Sequence, residues 1–273
     1  MLPLTRDGQR LVRPISPVAA YIGGKRLLSR DLVKRIQHTP HKTYAEPFVG
    51  MGGVFLRRTE AAPVEVINDI SSDVAGFFRI LQRHYSAFMD MLRYQLTTRA
   101  EFERLTVIDP ATLTDLERAA RFLYLQRMAY GGKVRGRSFG VDASQPGAFN
   151  VNRLIPLLDE LHDRLAGVVI ERLPWHDFIT RYDRPETLFY LDPPYWGCET
   201  DYGDQFARAD FKRMADQLQA VQGRFILSVN DKPELREMFS WAKIDTVDLI
   251  YSVGGGDNAQ EAKELIICSP ERG

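Results

Sequence analysis

Leu188-Phe189-Tyr190-Leu191-Asp192-Pro193-Pro194-Tyr195-Trp196 is the stretch from which the fold can be read. Its first four residues form an apolar, aromatic-rich run that predicts a buried strand, and the double proline ends that strand at once. Asp192 and the Tyr195 ring are thereby set just past a carboxyl-terminal strand end, where open α/β sheets place their ligands. Proline fixes its own φ and biases the preceding residue toward extended geometry, so Asp192 and Pro193 lie on a stiff arm. The Asp192 carboxylate and the Pro193 carbonyl then offer two acceptors for one donor group, with Tyr195 beside them as a flat face. An exocyclic amino group on a planar ring fits that arrangement. The alternative is a strand followed by an ordinary proline-rich turn.

Outward from this strand, apolar runs and helical periods alternate. Strands are expected at Thr43–Phe48, Val64–Ile67, Val168–Ile170, Thr187–Leu191, Arg224–Val229, Ile244–Tyr251 and Glu264–Ile267. Helices are expected at Arg26–His38, from Val54 onward, at Leu154–Leu165, Phe206–Val221 and Lys232–Phe239. The last two strands are joined by a turn at Gly254-Gly255-Gly256. The pattern predicts an α/β fold whose sheet is mostly parallel with an antiparallel end. Between residues 76 and 154 helical patterns dominate, and 12 Lys+Arg stand against 7 Asp+Glu in a chain of zero formal net charge. This basic section reads as an insertion, giving a catalytic domain of residues 1–75 and 155–273 around an inserted domain of residues 76–154.

Three further stretches carry chemistry. Tyr21-Ile22-Gly23-Gly24-Lys25 precedes a helix, and its glycines permit close backbone approach to a ligand. A strand, the turn Gly50-Met51-Gly52-Gly53, a second strand and then Asn68-Asp69 follow the nucleotide-binding order of doubly wound folds. Asp69 stands 19 residues past Gly50, a spacing suited to gripping both hydroxyls of a ribose. No Gly-Lys-Ser/Thr follows the turn, so it supports nucleoside rather than triphosphate binding. Asp69 is either that ribose acid or the cap of the next helix. The third stretch, residues 129–140, interleaves Tyr130, Lys133, Arg135, Arg137 and Phe139 with glycines and has no amphipathic period. Cations for phosphates or guanine edges and rings that wedge between bases suit a nucleic acid. A surface loop with no specific partner is the other reading. Ser228-Val229-Asn230-Asp231 ends another strand on the same edge, either lining the base pocket or capping a helix.

In their order these motifs resemble the Dam-like, D12 class of DNA adenine-N6 methyltransferases, of phage or prophage type. Glu46-Pro47-Phe48-Val49-Gly50-Met51-Gly52 is similar to that family's glycine turn, and Asp192-Pro193-Pro194-Tyr195 to its catalytic motif. The resemblance implies a Rossmann-like sheet with a helical target-recognition insertion. It also implies methyl transfer from S-adenosylmethionine to the N6 of a flipped-out adenine in duplex DNA. Catalytic residues would be Asp192, Pro193 and Tyr195. The cofactor would meet Tyr21, Lys25, Glu46, Phe48, Gly50, Gly52, Asp69, Asp177 and Asp192. DNA would meet Tyr130 as a wedge, Arg135 as a base reader, and Lys133 and Arg137. Gly131, where the Dam-type hairpin has asparagine, and Lys133-Val134 depart from the pattern and leave the recognition sequence open. A cognate restriction nuclease, or none, is compatible with the chain.

The other classes fit less of the chain. An NAD-dependent oxidoreductase shares the glycine turn and Asp69 but leaves Asp192 to Tyr195 and the basic insert unexplained. A DNA-binding module without catalysis has the same motifs. His38, His41, His84, His162 and His176 show no metal-ligand spacing, so no metal is expected. Cys198 and Cys268 lack a paired spacing, and no apolar run is long enough to cross a membrane, so a cytoplasmic protein acting on DNA is expected.

Overall fold

Runs such as Thr187–Leu191, buried at every position, need neighbours on both edges and layers on both faces. The computed structural model, which describes residues 8–21, 23–134, 136–140, 149–198, 206–252 and 259–270, supplies both. The chain opens with β1 (Arg10–Leu11), α1 (Ser29–His38), β2 (Thr43–Glu46), β3 (Glu60–Ala61) and β4 (Val64–Asn68). Five helices follow: α2 (Ser72–Arg83), α3 (Tyr85–Leu92), α4 (Arg99–Val107), α5 (Asp115–Met128) and α6 (Val151–Arg164). Strand and helix then alternate through β5 (Val169–Glu171), α7 (Trp175–Tyr182), β6 (Thr187–Leu191), α8 (Arg208–Ala220), β7 (Arg224–Asn230) and α9 (Pro233–Met238). The chain finishes with β8 (Lys243–Ser252) and β9 (Ala259–Cys268).

Seven strands form one sheet in the order β5-β4-β2-β6-β7-β9-β8, while β1 and β3 pair separately. From β5 to β7 every neighbour is parallel. Strand β9 runs antiparallel to both β7 and β8. The expected architecture, a mostly parallel Rossmann-like sheet with an antiparallel end, is therefore the observed one. The order reverses at β2: the chain moves outward through β4 to β5, then returns to place β6 on the other side of β2. Such a switch point leaves a crevice at the carboxyl ends of the strands.

Alternation along the strands sorts side chains to two layers. Leu188 and Tyr190 join the core that reaches α1, α2 and α5. Phe189 and Leu191 join the core built with Phe178, Phe211, Met214 and Leu235 from α7, α8 and α9. Helices α2–α6 share the first core with the sheet rather than packing apart from it. A buried Arg164–Glu65 pair at 2.6 Å ties the end of α6 to β4. Gln82 of α2 donates to the carbonyls of Leu165 and Val168, both at 2.8 Å.

One expected element does not form. The helix expected from Val54 onward is a single 3-10 turn at Phe55–Arg57. Arg58 ends it in extended geometry because its guanidinium is drawn into the core, bonded to Glu65 and 3.7 Å from the centre of the Tyr44 ring. The chain then pairs β3 with β1 and enters β4. Ser29 also begins α1 three residues later than the periodicity predicts, after a turn at 26–28.

Candidate active site

A cleft of about 1040 Å³ opens at the switch point, floored by the ends of β2, β4 and β6. Each of those strands delivers a carboxylate to it: Glu46, Asp69 and Asp192. The loops around them are tied down by side chains that accept or donate to backbone. Asn68 donates to the carbonyls of Pro47 at 2.9 Å and Leu173 at 3.1 Å, and accepts the Leu173 N–H at 2.7 Å. It thus clamps the loops after β2 and β5 to the end of β4. Asn230 does the same for the loop after β6, accepting the Trp196 N–H at 2.9 Å and donating to the Trp196 carbonyl at 3.0 Å.

The glycine turn is held by Asp69. Its carboxylate accepts the Gly50 N–H at 3.0 Å and the Ser71 N–H at 2.9 Å. Helix α2 is capped by Ser71 instead, so Asp69 links the turn to the helix rather than ending it. Gly50 has φ of +50°, and a Cβ there would stand 3.1 Å from the Tyr21 ring, so glycine lets that ring lie on the turn. Gly50 and Gly53 line the cleft. Gly52 is glycine for another reason: φ is +77°, and a Cβ would meet the Leu56 side chain at 2.8 Å. Phe48 also lines the cleft, edge-on to Phe206.

Asp192 sits in a polar network reaching Lys25, Ser228, Tyr195 and Glu264. Its Oδ1 receives the Lys25 ammonium at 2.7 Å and the Ser228 hydroxyl at 3.3 Å. Its Oδ2 has no hydrogen-bond partner among the described residues, and 20% of the side-chain surface is open to the cleft. Lys25, only 2% exposed, also donates to the Tyr195 hydroxyl at 2.8 Å and lies 4.1 Å from the centre of that ring. The Tyr195 hydroxyl donates in turn to Glu264, whose other oxygen is 3.7 Å from Lys25.

Burial sets the acidities. It lifts Asp192 to about 6 against the pull of Lys25, and Asp69 to about 6 against its two N–H donors. Glu46, buried and hydrogen-bonded by Tyr44 at 2.6 Å, is lifted to about 8, so it holds its proton at neutrality. At neutral pH Asp192 is the ionised acceptor of the floor, and Glu46 is a neutral carboxyl.

Val134 and Arg137, from residues 129–134 and 136–140, line one wall. Tyr130 N–H donates to the Ser138 carbonyl at 2.9 Å, and Ala129 bridges Phe139. A Cβ on Gly132 would lie 2.9 Å from the Ala20 backbone, so this loop docks directly on the Tyr21 segment. Tyr130 is 60% exposed and Lys133 is exposed. Arg137 turns inward to the Lys133 carbonyl at 3.1 Å and Gln126 at 3.3 Å, and burial pushes its pKa below the usual arginine value. Its guanidinium supports the loop and lines the cleft. Arg135 lies outside the described residues, as does Ile22. Asp177 is not brought to the cleft; it is 61% exposed and pairs with its neighbour His176 at 3.0 Å, while Trp175 and His176 line the wall.

The sequence reading did not single out Asn68 or Asn230 as loop clamps, nor Glu264 at all. Glu264 had a visible signal: it is a carboxylate heading the run Glu264-Leu265-Ile266-Ile267, all four of which are buried.

Residues 21–253 match a family model described as D12 class N6 adenine-specific DNA methyltransferase. The chain is 22% identical over 233 residues to a Type II methyltransferase, M.CviBI, of Paramecium bursaria Chlorella virus NC1A, covering 82% of this chain and 86% of that protein. It is 25% identical over 282 residues to the Type II methyltransferase M1.LlaDCHI of Lactococcus lactis subsp. cremoris, covering 93% and 95%. A DNA N-6-adenine-methyltransferase of Escherichia phage P1 is 33% identical over 220 residues, covering 72% of this chain and 28% of that longer protein.

Proposed function

The chain belongs to the D12 class N6 adenine-specific DNA methyltransferase family, and we propose that it methylates adenine N6 in duplex DNA through Asp192, Pro193 and Tyr195. The observation that carries this reading is the state of Asp192: one oxygen is fixed by Lys25 and Ser228, and the other has no partner among the described residues.

The cleft residues fit S-adenosylmethionine as donor. Gly50 has no Cβ to obstruct the turn, Asp69 stands at the strand end suited to ribose hydroxyls, and Phe48 and Tyr21 offer aromatic surface for a purine. Acid side chains on the floor suit a cationic group. Tyr21, Lys25, Glu46, Phe48, Gly50, Asp69 and Asp192 would surround the donor. When bound, S-adenosylmethionine supplies a methyl group carried on a positively charged sulfur.

The work of the chain is to prepare the nucleophile. Adenine N6 is weakly nucleophilic because its lone pair is shared with the ring. Asp192 Oδ2 and the Pro193 carbonyl would each accept one N6 hydrogen, turning the nitrogen toward tetrahedral geometry and returning the pair to it. The ionised Asp192 then stabilises the positive charge that develops on N6 and takes up the released proton. Holding the base in place contributes through proximity. A base inside a duplex cannot reach this cleft, so it must be extruded, at a cost of a few kcal/mol. Stacking of the base on the Tyr195 ring would offset about 1–3 kcal/mol of that. In keeping with the family resemblance, Tyr130 would fill the space left in the stack, Lys133 would meet phosphate, and Arg135 would read a guanine edge.

The test is transfer of a tritiated methyl group from S-adenosylmethionine to duplex DNA, followed by digestion and identification of the labelled nucleoside. Label in N6-methyl-2′-deoxyadenosine is expected. DNA bound but unlabelled would leave a non-catalytic binding module, and label on cytosine would refute the proposal.

A further inference from the structure

Strand β9 is reversed in the sheet, and its register places Glu264 opposite Asn230 of β7 and Val247 of β8. That position brings a carboxylate, 1% exposed, beneath the loop that follows β6. Buried carboxylates are rare unless paired, and this one has two partners in the active site. It accepts the Tyr195 hydroxyl, and its Oε2 lies 3.7 Å from Lys25. Lys25 is also 2.7 Å from Asp192. One buried ammonium therefore stands between two carboxylates.

We propose that Glu264 is a positioning residue for methyl transfer: it orients the Tyr195 ring through its hydroxyl and shares Lys25 with Asp192, so the site keeps a net negative charge beside the target nitrogen. With Lys25 and Asp192 alone, the pair would be neutral where positive charge must develop. The second carboxylate restores the excess without touching the base. The inference rests on the reading that Asp192 grips the adenine.

The groups that face Asp192 are Lys25 from the segment before α1, Glu264 from β9, Glu46 from β2, and Tyr190 from its own strand. Of these, Lys25 favours its ionised form and Glu264 opposes it. Removing Glu264 has a direction that a loosened structure does not imitate. Glu264→Gln keeps the shape and a hydrogen-bond acceptor while removing the charge. Its kcat plateau is expected to fall about tenfold. The acid limb of kcat/KM for S-adenosylmethionine is expected to move to lower pH by roughly 0.5–1 unit. Glu264→Asp, which restores the charge, should return the limb to its wild-type position.

A fall in kcat with the limb unmoved would make Glu264 a merely structural support and overturn the proposal, as would unchanged kcat. If Glu264→Gln does not fold, the Lys25→Met/Glu264→Gln double variant removes the opposed charges together. Its limb should lie between those of Lys25→Met and wild type, and coincidence with Lys25→Met would overturn the proposal. Asp192→Ala is measured alongside. If it retains activity, the grip of Asp192 on adenine is wrong; if it is inactive while Glu264→Gln behaves as wild type, only the role of Glu264 is lost.

Discussion

Replacing Lys25 by methionine is expected to shift the acid limb of the pH–rate profile toward neutrality. In the structure the lysine ammonium lies 2.7 Å from Asp192 Oδ1, with both groups largely out of water. Burial holds Asp192 up at about 6, and Lys25 is the main influence in the other direction. An opposite charge at such range lowers a carboxyl by about 1–3 units, so its loss should raise Asp192 to roughly 7–9. Taking the middle of that range, Asp192 would go from about 90% ionised at pH 7 to about 10%, an approximately tenfold loss of the accepting form. Activity should recover as the pH approaches ~9.5, which separates this effect from damage to the fold. The assay is kcat/KM for S-adenosylmethionine from about pH 5 to pH 10, because that ratio reports ionisations of the free enzyme. A lowered plateau with the limb still near its wild-type position would refute the reasoning.

Three other outcomes are expected. Glu46 takes up its proton on folding, about 8 against an ordinary 4.5, so its contribution to stability is complete below about pH 4.5 and is lost as the pH rises through about 8. Urea unfolding should show wild type losing up to roughly 3–5 kcal/mol more over that window than Glu46→Gln, which keeps the smaller loss due to Asp69 and Asp192; parallel profiles would contradict the assignment. Tyr130→Ala should leave the unfolding free energy within about 0.5 kcal/mol of wild type, since the side chain is 60% exposed, yet reduce methylation of duplex DNA more than of a substrate with an unpaired target adenine. Arg135→Ala should lose about 1–3 kcal/mol of discrimination at a single guanine in competition assays; a uniform loss over all sequences would assign the side chain to phosphate.

Strand identities were legible because their hydrophobic runs and stops are local. Asp192-Pro193-Pro194-Tyr195 announced a strand end, and the order of glycine turn, Asp69 and basic insert fixed which side of the sheet carries chemistry. The helix expected from Val54 was not legible, since Arg58 leaves the helical path for Glu65, a partner seven residues on and in another strand. Gly52, with φ of +77°, also lies too close to Leu56 for a Cβ, a packing constraint that its place in the glycine turn did not reveal. Asp177 lies on the first turn of α7 with its side chain 61% exposed and paired with His176, an orientation that spacing does not reveal. Glu264 depends on the register of a reversed strand against β7, and so on a pairing that only the folded sheet defines.

The central claim is that an ionised Asp192, tethered at one oxygen, grips adenine N6 with the other. Single-turnover methyl transfer by Asp192→Ala, with DNA and S-adenosylmethionine both saturating and circular dichroism confirming the fold, tests it most directly. The chemical step should fall below detection while both ligands still bind; a rate within about tenfold of wild type would contradict the grip of Asp192 on N6.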